Sequence, residues 1–193
     1  MTEYLALTGF VFFGLFSPGP NVILITTSGA RFGFRRTIPH ILGVALGVGV
    51  IAFVTGIGIG TLLAALPVLT LGLKAVACLW ILWMAYNLWN ADPARRRERD
   101  RPFTFVEAVL FQWVNPKVWA VALSATAYVA AYAPLAQGST LAVTFSTINL
   151  GVCTFWAFAG TLLSYLLTNA FAWRVFMRIM AVCLVGFSVL LFL

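Results

Sequence analysis

An apolar segment running from about Tyr4 to Ser28 is cut in its middle by Ser17-Pro18-Gly19-Pro20-Asn21. Two prolines and a glycine end any helix, because proline lacks the N–H and its ring clashes with the preceding turn. The flanks, Phe10-Val11-Phe12-Phe13 and Val22-Ile23-Leu24-Ile25, are apolar enough for a bilayer core. Broken backbone at that depth is tolerated only against protein or a watery cavity, never against lipid. Ser17-Pro18 and Gly19-Pro20 both read as an N-cap followed by proline at the first helical position. A second half-helix then starts near mid-membrane, its free N–H groups and positive dipole end directed inward. Such an end suits an anion. The plainer reading is a packing kink.

The surrounding chain supports the membrane setting. Of 193 residues, 62% are hydrophobic and 9% charged, with a mean hydropathy of +1.01. That is the composition of an all-α polytopic membrane protein. The apolar runs are too long for outer-membrane strands. Met1-Thr2-Glu3 shows no basic region of a cleaved signal. Cys78, Cys153 and Cys183 sit in apolar segments without Cys-x-x-Cys spacing, and His40 is the only histidine. The cysteines therefore read as small apolar fillers, and neither metal nor cofactor is expected.

Six apolar segments follow one another, at about 4–28, 39–66, 68–89, 103–132, 140–167 and 173–193. A short basic loop, Gly29 to Arg36, joins the first two. Gly43 and Gly47, then Gly56 and Gly60, stand four apart, which allows close helix packing. Lys74 is expected to snorkel, Trp80, Trp83, Tyr86 and Trp89 to form an interfacial belt, and Pro134 with Gly138 to mark a turn. His40 reads as a boundary residue. The single hydrophilic stretch, Asp92 to Pro102, reads as a cytoplasmic loop rather than a nucleic-acid contact. Ten of the twelve basic residues fall on one side, in the loops between segments one and two and three and four and, for Arg174 and Arg178, where segment five gives way to six. The positive-inside rule then places both termini outside the cytoplasm.

Segments one and four are alike. Each breaks about a dozen residues in, at Ser17-Pro18 and at Asn115-Pro116, and each precedes a glycine-bearing segment (Gly43, Gly151). Three spans per half invert the second half. The sequence thus suggests two inverted three-helix repeats, 1–92 and 102–193, joined by a linker at 92–102. Matched broken helices in inverted halves point to a secondary transporter with a midplane site. Lys117 lies about 21 Å beyond Phe103 at 1.5 Å per residue. A lysine there costs on the order of 3 kcal/mol, so it should face a cavity or partner, the alternative being outward snorkelling. Gln112 and Asn21 can add hydrogen bonds. Glu107 is the only acidic residue inside a segment; coupling through Glu107, His40 or the substrate's own titratable group stays open.

Together, Ser17-Pro18-Gly19-Pro20-Asn21, Gly29-x-Arg31-x-Gly33, Gly43-x-x-x-Gly47 and Phe111-Gln112-x-x-Asn115-Pro116-Lys117 resemble the LysE/RhtB family of amino-acid exporters over essentially the whole chain. The resemblance implies a bacterial inner-membrane exporter of amino acids or close derivatives, driven by proton motive force, with its site around the two breaks. It leaves the substrate open among cationic and neutral amino acids. Scarce carboxylates in the spans favour a neutral one, whose carboxylate would meet Lys117 and whose ammonium would meet carbonyls freed by proline. No catalytic constellation suggests an enzyme. A channel-like facilitator is the alternative, and would need a homo-oligomer to complete a pore.

Overall fold

The computed structural model describes residues 2–17, 19–59, 66–90, 101–166 and 169–190. Pro18, Gly60, the linker 91–100, residues 191–193 and the side chain of Lys74 lie outside the described residues, so the expectations attached to them are not addressed by the fold. The described chain is helical: α1 (Thr2–Phe16), α2 (Pro20–Phe32), α3 (Phe34–Gly56), α4 (Pro67–Trp89), α5 (Phe105–Val114), α6 (Pro116–Ala125), α7 (Pro134–Leu166) and α8 (Ala170–Leu190), with a 3-10 turn at Thr126–Val129.

Among the described residues, α3 and Pro134–Tyr165 of α7 are each long and apolar enough to cross a membrane. A third candidate span is the bent pair α1–α2, whose halves meet at 59°. This is a helical protein of membrane type, and its side chains fit that environment: Leu5, Phe13, Leu79, Tyr86 and Phe158 all stand exposed on helix surfaces.

Helix α3 is the axis of the packing, and its glycines are the reason. A Cβ on Gly43 would lie 2.3 Å from the Phe105 carbonyl oxygen, and one on Gly47 would lie 2.6 Å from Cγ of Gln112. On the other side, Gly49 abuts Ser146 and Gly56 abuts Gly138. Small residues let backbones approach where the hydrophobic effect cannot drive helices together. The order of these contacts makes α3 parallel to α5 and antiparallel to α7. Helix α2 meets α7 by the same device, Gly29 against Ala157 and Gly160 against Thr26.

Two apolar clusters fill the interior. Leu7, Val11 and Leu15 of α1 join Val44, Val48 and Ile51 of α3, Val118 and Ala122 of α6, and Leu141 and Phe145 of α7. The second gathers Ile23 and Leu24 of α2, Ile81 and Met84 of α4, Phe111 of α5, and Met177 and Leu184 of α8. Helix α5 serves both, through Ala108 and Phe111.

Several local expectations are corrected. The basic stretch Gly29–Arg36 is not a loop: α2 runs through Phe32 and α3 begins at Phe34, with only Gly33 between them at φ 80°. That left-handed conformation is one glycine adopts without a steric penalty. The turn expected at Pro134 and Gly138 lies at 130–133, just before them. Pro134 opens α7, a position where its missing N–H costs nothing, and Gly138 lies inside the helix against Gly56. His40, near the start of α3, is 2% exposed and packs against Phe103. The parallel drawn between Gly43 and Gly151 does not extend to packing, since a Cβ on Gly151 would meet nothing within 4 Å.

Candidate functional site

Both expected breaks are present, but they are built differently. Helix α1 ends at Phe16, and Ser17 closes it with its N–H on the Phe13 carbonyl (3.1 Å) and its hydroxyl on the Gly14 carbonyl (3.0 Å). The Ser17 side chain therefore caps backwards and does not cap α2. The N-cap of α2 is Gly19, fully extended at φ −179° and ψ 179°, with Pro20 at the first helical position. The residue before a proline is pushed to extended backbone in just this way. The second break is a single residue. Asn115, at φ −87° and ψ 99°, ends α5 and starts α6, with Pro116 next. Its side chain makes no cap bond. Asn115 is 1% exposed and its Oδ1 has no hydrogen-bond partner.

Tertiary packing then clasps the two breaks together. Asn21 Nδ2 donates to Gln112 Oε1 (2.8 Å), and Gln112 Nε2 donates back to Asn21 Oδ1 (3.2 Å) and to the Ala108 carbonyl (2.9 Å). Gln112 is wholly buried, so these bonds satisfy an amide that water cannot reach. Lys117, the second residue of α6, is half-buried. Its ammonium donates to the backbone carbonyl of Ser17. Its methylenes pass over Gly19, where an added Cβ would lie 2.8 Å from Cδ and 3.0 Å from Nζ. Asn21, Gln112, Ser17, Gly19 and Lys117 are thus brought into one neighbourhood by residues about a hundred positions apart. Pro20 and Pro116 shape it; Asn115 lies beside it with an unmet acceptor.

One further residue belongs to this neighbourhood that the sequence did not single out, and one that it did gains a second role. Trp119 Nε1 donates to the Trp113 carbonyl at 3.0 Å, spanning the second break from α6 back to α5. The Gln112 carbonyl, which Pro116 cannot serve, accepts instead from the Asn115 N–H at 3.2 Å. Carbonyls around the breaks are therefore largely engaged already, which narrows the expectation that they await a substrate ammonium. Gly47, expected only to allow close helix packing, also makes room for Gln112: an added Cβ would lie 2.6 Å from the Gln112 Cγ. For Trp119, its proximity in sequence to Asn115-Pro116 was the available signal.

Glu107 has a structural occupation. It is the N3 residue of a capping box with Thr104, and it holds Arg101 through two bonds of 2.6 and 2.7 Å. A capping box satisfies two helix-end donors at once, so this carboxylate is committed to starting α5. No group of three or more potential metal ligands occurs among the described residues. Cys153 is buried in the first apolar cluster.

The LysE type translocator family matches residues 12–193. The chain is 30% identical, over 151 residues covering 76% of each chain, to the cysteine/O-acetylserine efflux protein of Salmonella paratyphi A. It is 27% identical over 148 residues, 73% of this chain and 72% of the relative, to the homoserine/homoserine lactone efflux protein of Salmonella typhimurium. A cysteine/O-acetylserine efflux protein of Escherichia coli is 27% identical over 76% of both chains. No solved structure matches. With the family match covering nearly the whole sequence and both helix breaks in place, this chain belongs to the LysE type translocator family.

Proposed function

We propose that the protein exports a small neutral amino acid, or a close derivative, across the bacterial inner membrane in exchange for inward proton movement. The observation that carries this reading is the clasp between the two breaks. A half-helix N-terminus from each half, a half-buried lysine and a buried amide pair converge there. This combination offers a carboxylate one full positive charge and oriented N–H donors. No described acidic side chain stands among these residues, so a cationic side chain on the substrate would lack a counter-charge. The similar proteins named above are efflux proteins for cysteine, O-acetylserine, homoserine and homoserine lactone, all small and without a net-charged side chain; the first three carry the carboxylate this reading places at Lys117, and the lactone does not.

In this reading Lys117 releases the Ser17 carbonyl to take the substrate carboxylate. Asn21 and Gln112 exchange part of their mutual bonding for the substrate ammonium, and apolar residues around them receive a neutral side chain. The whole chain acts as one transporter domain of six spans in two inverted repeats. Three facts support the repeat. Helix α3 packs antiparallel to its counterpart α7, α4 packs on its counterpart α8, and the first break packs on the second. An in-plane two-fold axis pairs counterparts in this way. The lengths of α4 and α8, 23 and 21 residues, suit spans. Both termini lie outside the cytoplasm in this scheme, and a cysteine introduced at Ala94 should resist impermeant thiol reagents in sealed cells.

The deciding experiment uses everted membrane vesicles and labelled cysteine, O-acetylserine, homoserine, leucine and lysine, with and without a proton gradient. Gradient-dependent uptake of a neutral compound and none of lysine is expected. Uptake that follows concentration alone would favour a channel-like facilitator. Absence of uptake for every compound overturns the export reading.

A further inference from the structure

The one histidine of the sequence lies in the packed interior with both ring nitrogens unpaired. His40 lies seven residues into α3, is 2% exposed, and neither Nδ1 nor Nε2 has a hydrogen-bond partner. Leaving a buried polar group unpaired costs about 1–3 kcal/mol, and such a group in a packed interior calls for an explanation. Phe103 shields it, ring to ring at 5.0 Å. Phe103 in turn packs on Phe111, the neighbour of Gln112, at 6.3 Å. A line of contact therefore runs from the imidazole to the clasp between the breaks.

The backbone beside the imidazole is weakened. Pro39 sits inside α3 and has no N–H for the Arg35 carbonyl, so the helix can bend one residue from His40. The ionisable groups on every element packed against α3 are few. Helix α5 brings Glu107, which acts on the imidazole electrostatically and is itself held by Arg101. Helix α2 brings Arg31 in its last turn, α6 brings Lys117 at the far break, and α7 brings the buried thiol of Cys153. On α3 itself, Arg35 and Arg36 precede His40 by one turn. Glu107 is occupied by Arg101 and by the capping box, Lys117 by the clasp. His40 is the described ionisable side chain left without an assigned partner in the interior.

We propose that His40 carries the coupling proton, and this rests on the proton-driven export reading above. An imidazole nitrogen takes up one proton when the interior opens outward. The Pro39 bend then exposes the ring toward the Glu107–Arg101 end, and the same proton leaves to cytoplasmic water as the neutral ring returns beneath Phe103. One proton enters the cell for each amino acid that leaves, and the side chain is restored.

The test is made on the full-length protein in liposomes with labelled O-acetylserine and homoserine, using His40→Gln, which keeps polarity and approximate size but cannot carry a proton. Two rates are compared: accumulation driven by a pH gradient, and one-for-one exchange of substrate with no gradient. Exchange requires no net proton movement. Accumulation should fall by about tenfold or more while exchange stays within about twofold of the parent. Full gradient-driven accumulation by His40→Gln overturns the proposal. So does loss of exchange in both His40→Gln and His40→Asn when each is present in the membrane, because that marks a structural role. If the parent protein itself shows exchange but no gradient response, proton coupling fails and His40 has nothing to carry; if the parent shows neither, the export reading fails instead.

Discussion

The first break and the second do the same thing to a helix and contribute opposite things to the site. At the first, two prolines flank a glycine, Ser17 is exposed, and what faces the partner break is mainly backbone: the Ser17 carbonyl and the bare Cα of Gly19. Asn21 is its one side-chain donor to the clasp. At the second, one buried asparagine and one proline suffice, and the neighbouring side chains Gln112, Lys117 and Trp119 reach outward from it. One break offers a cradle and the other fills it. The lesson is that a matched pair of motifs need not be matched in role. Backbone acceptors stay put whatever the side chains do, while a long flexible cation can leave its carbonyl for a ligand.

The sharpest way to break this comparison is at Lys117. Removing its charge should cost substrate transport roughly a hundredfold, about 3 kcal/mol, as removing one partner of a desolvated charge pair does. Lys117→Gln is read in everted vesicles, with the amount of protein in the membrane unchanged. Lys117→Arg should retain part of the activity, since charge is kept and geometry is not. Full activity in Lys117→Gln would remove the lysine from the site.

The prolines give the next effect, and it should be unequal. Pro116→Ala restores the N–H that α5 and α6 need to merge, so the break depends on one residue. A loss of about tenfold in transport is expected there. Pro20→Ala leaves Pro18 and the extended Gly19 in place, so its loss should be several-fold smaller. Equal losses would show the two breaks to be equivalent and the comparison to be wrong.

A smaller effect concerns the amide pair. In a double-mutant cycle of Asn21→Ala and Gln112→Ala, thermal stability in detergent should show a coupling of about 0.5–1.5 kcal/mol. A coupling indistinguishable from zero would mean that the breaks are held by helix packing alone. The smallest effect is expected from Gly19→Ala. The three atoms nearest the new Cβ all belong to the movable end of Lys117, so transport should fall by about two- to threefold and stability hardly at all. A large loss of stability would show that Gly19 is required by the backbone rather than by the lysine.

Much of this protein can be read before it is folded. Apolar runs without charge leave helices as the only structure able to satisfy a backbone in lipid. Because its effect is local and covalent, proline then places the second break at Asn115-Pro116 and confines the first to Ser17–Asn21, where Gly19 rather than Ser17 proves to be the N-cap. Where the structure departs from expectation, the reason is local geometry at Gly33 and Ser17 and a contact from elsewhere in the chain at Gly138. The stretch 29–36 looks like a basic loop, but Gly33 alone makes the turn. Gly138 looks like a turn residue until Gly56 of another helix is found against it. Ser17 looks like an N-cap, yet its hydroxyl finds the Gly14 carbonyl first.

The site divides along the same line. Periodicity and composition determined that the chain is helical, of membrane type and twice interrupted, since these depend on properties each segment carries alone. Only the tertiary structure decided that Asn21 bonds Gln112, that Lys117 lies across Gly19, and that His40 is buried without a partner. Those are relations between residues far apart in sequence. They are set by which helices can approach closely enough, and Gly29, Gly43, Gly47 and Gly160 decide that through the volume they do not occupy.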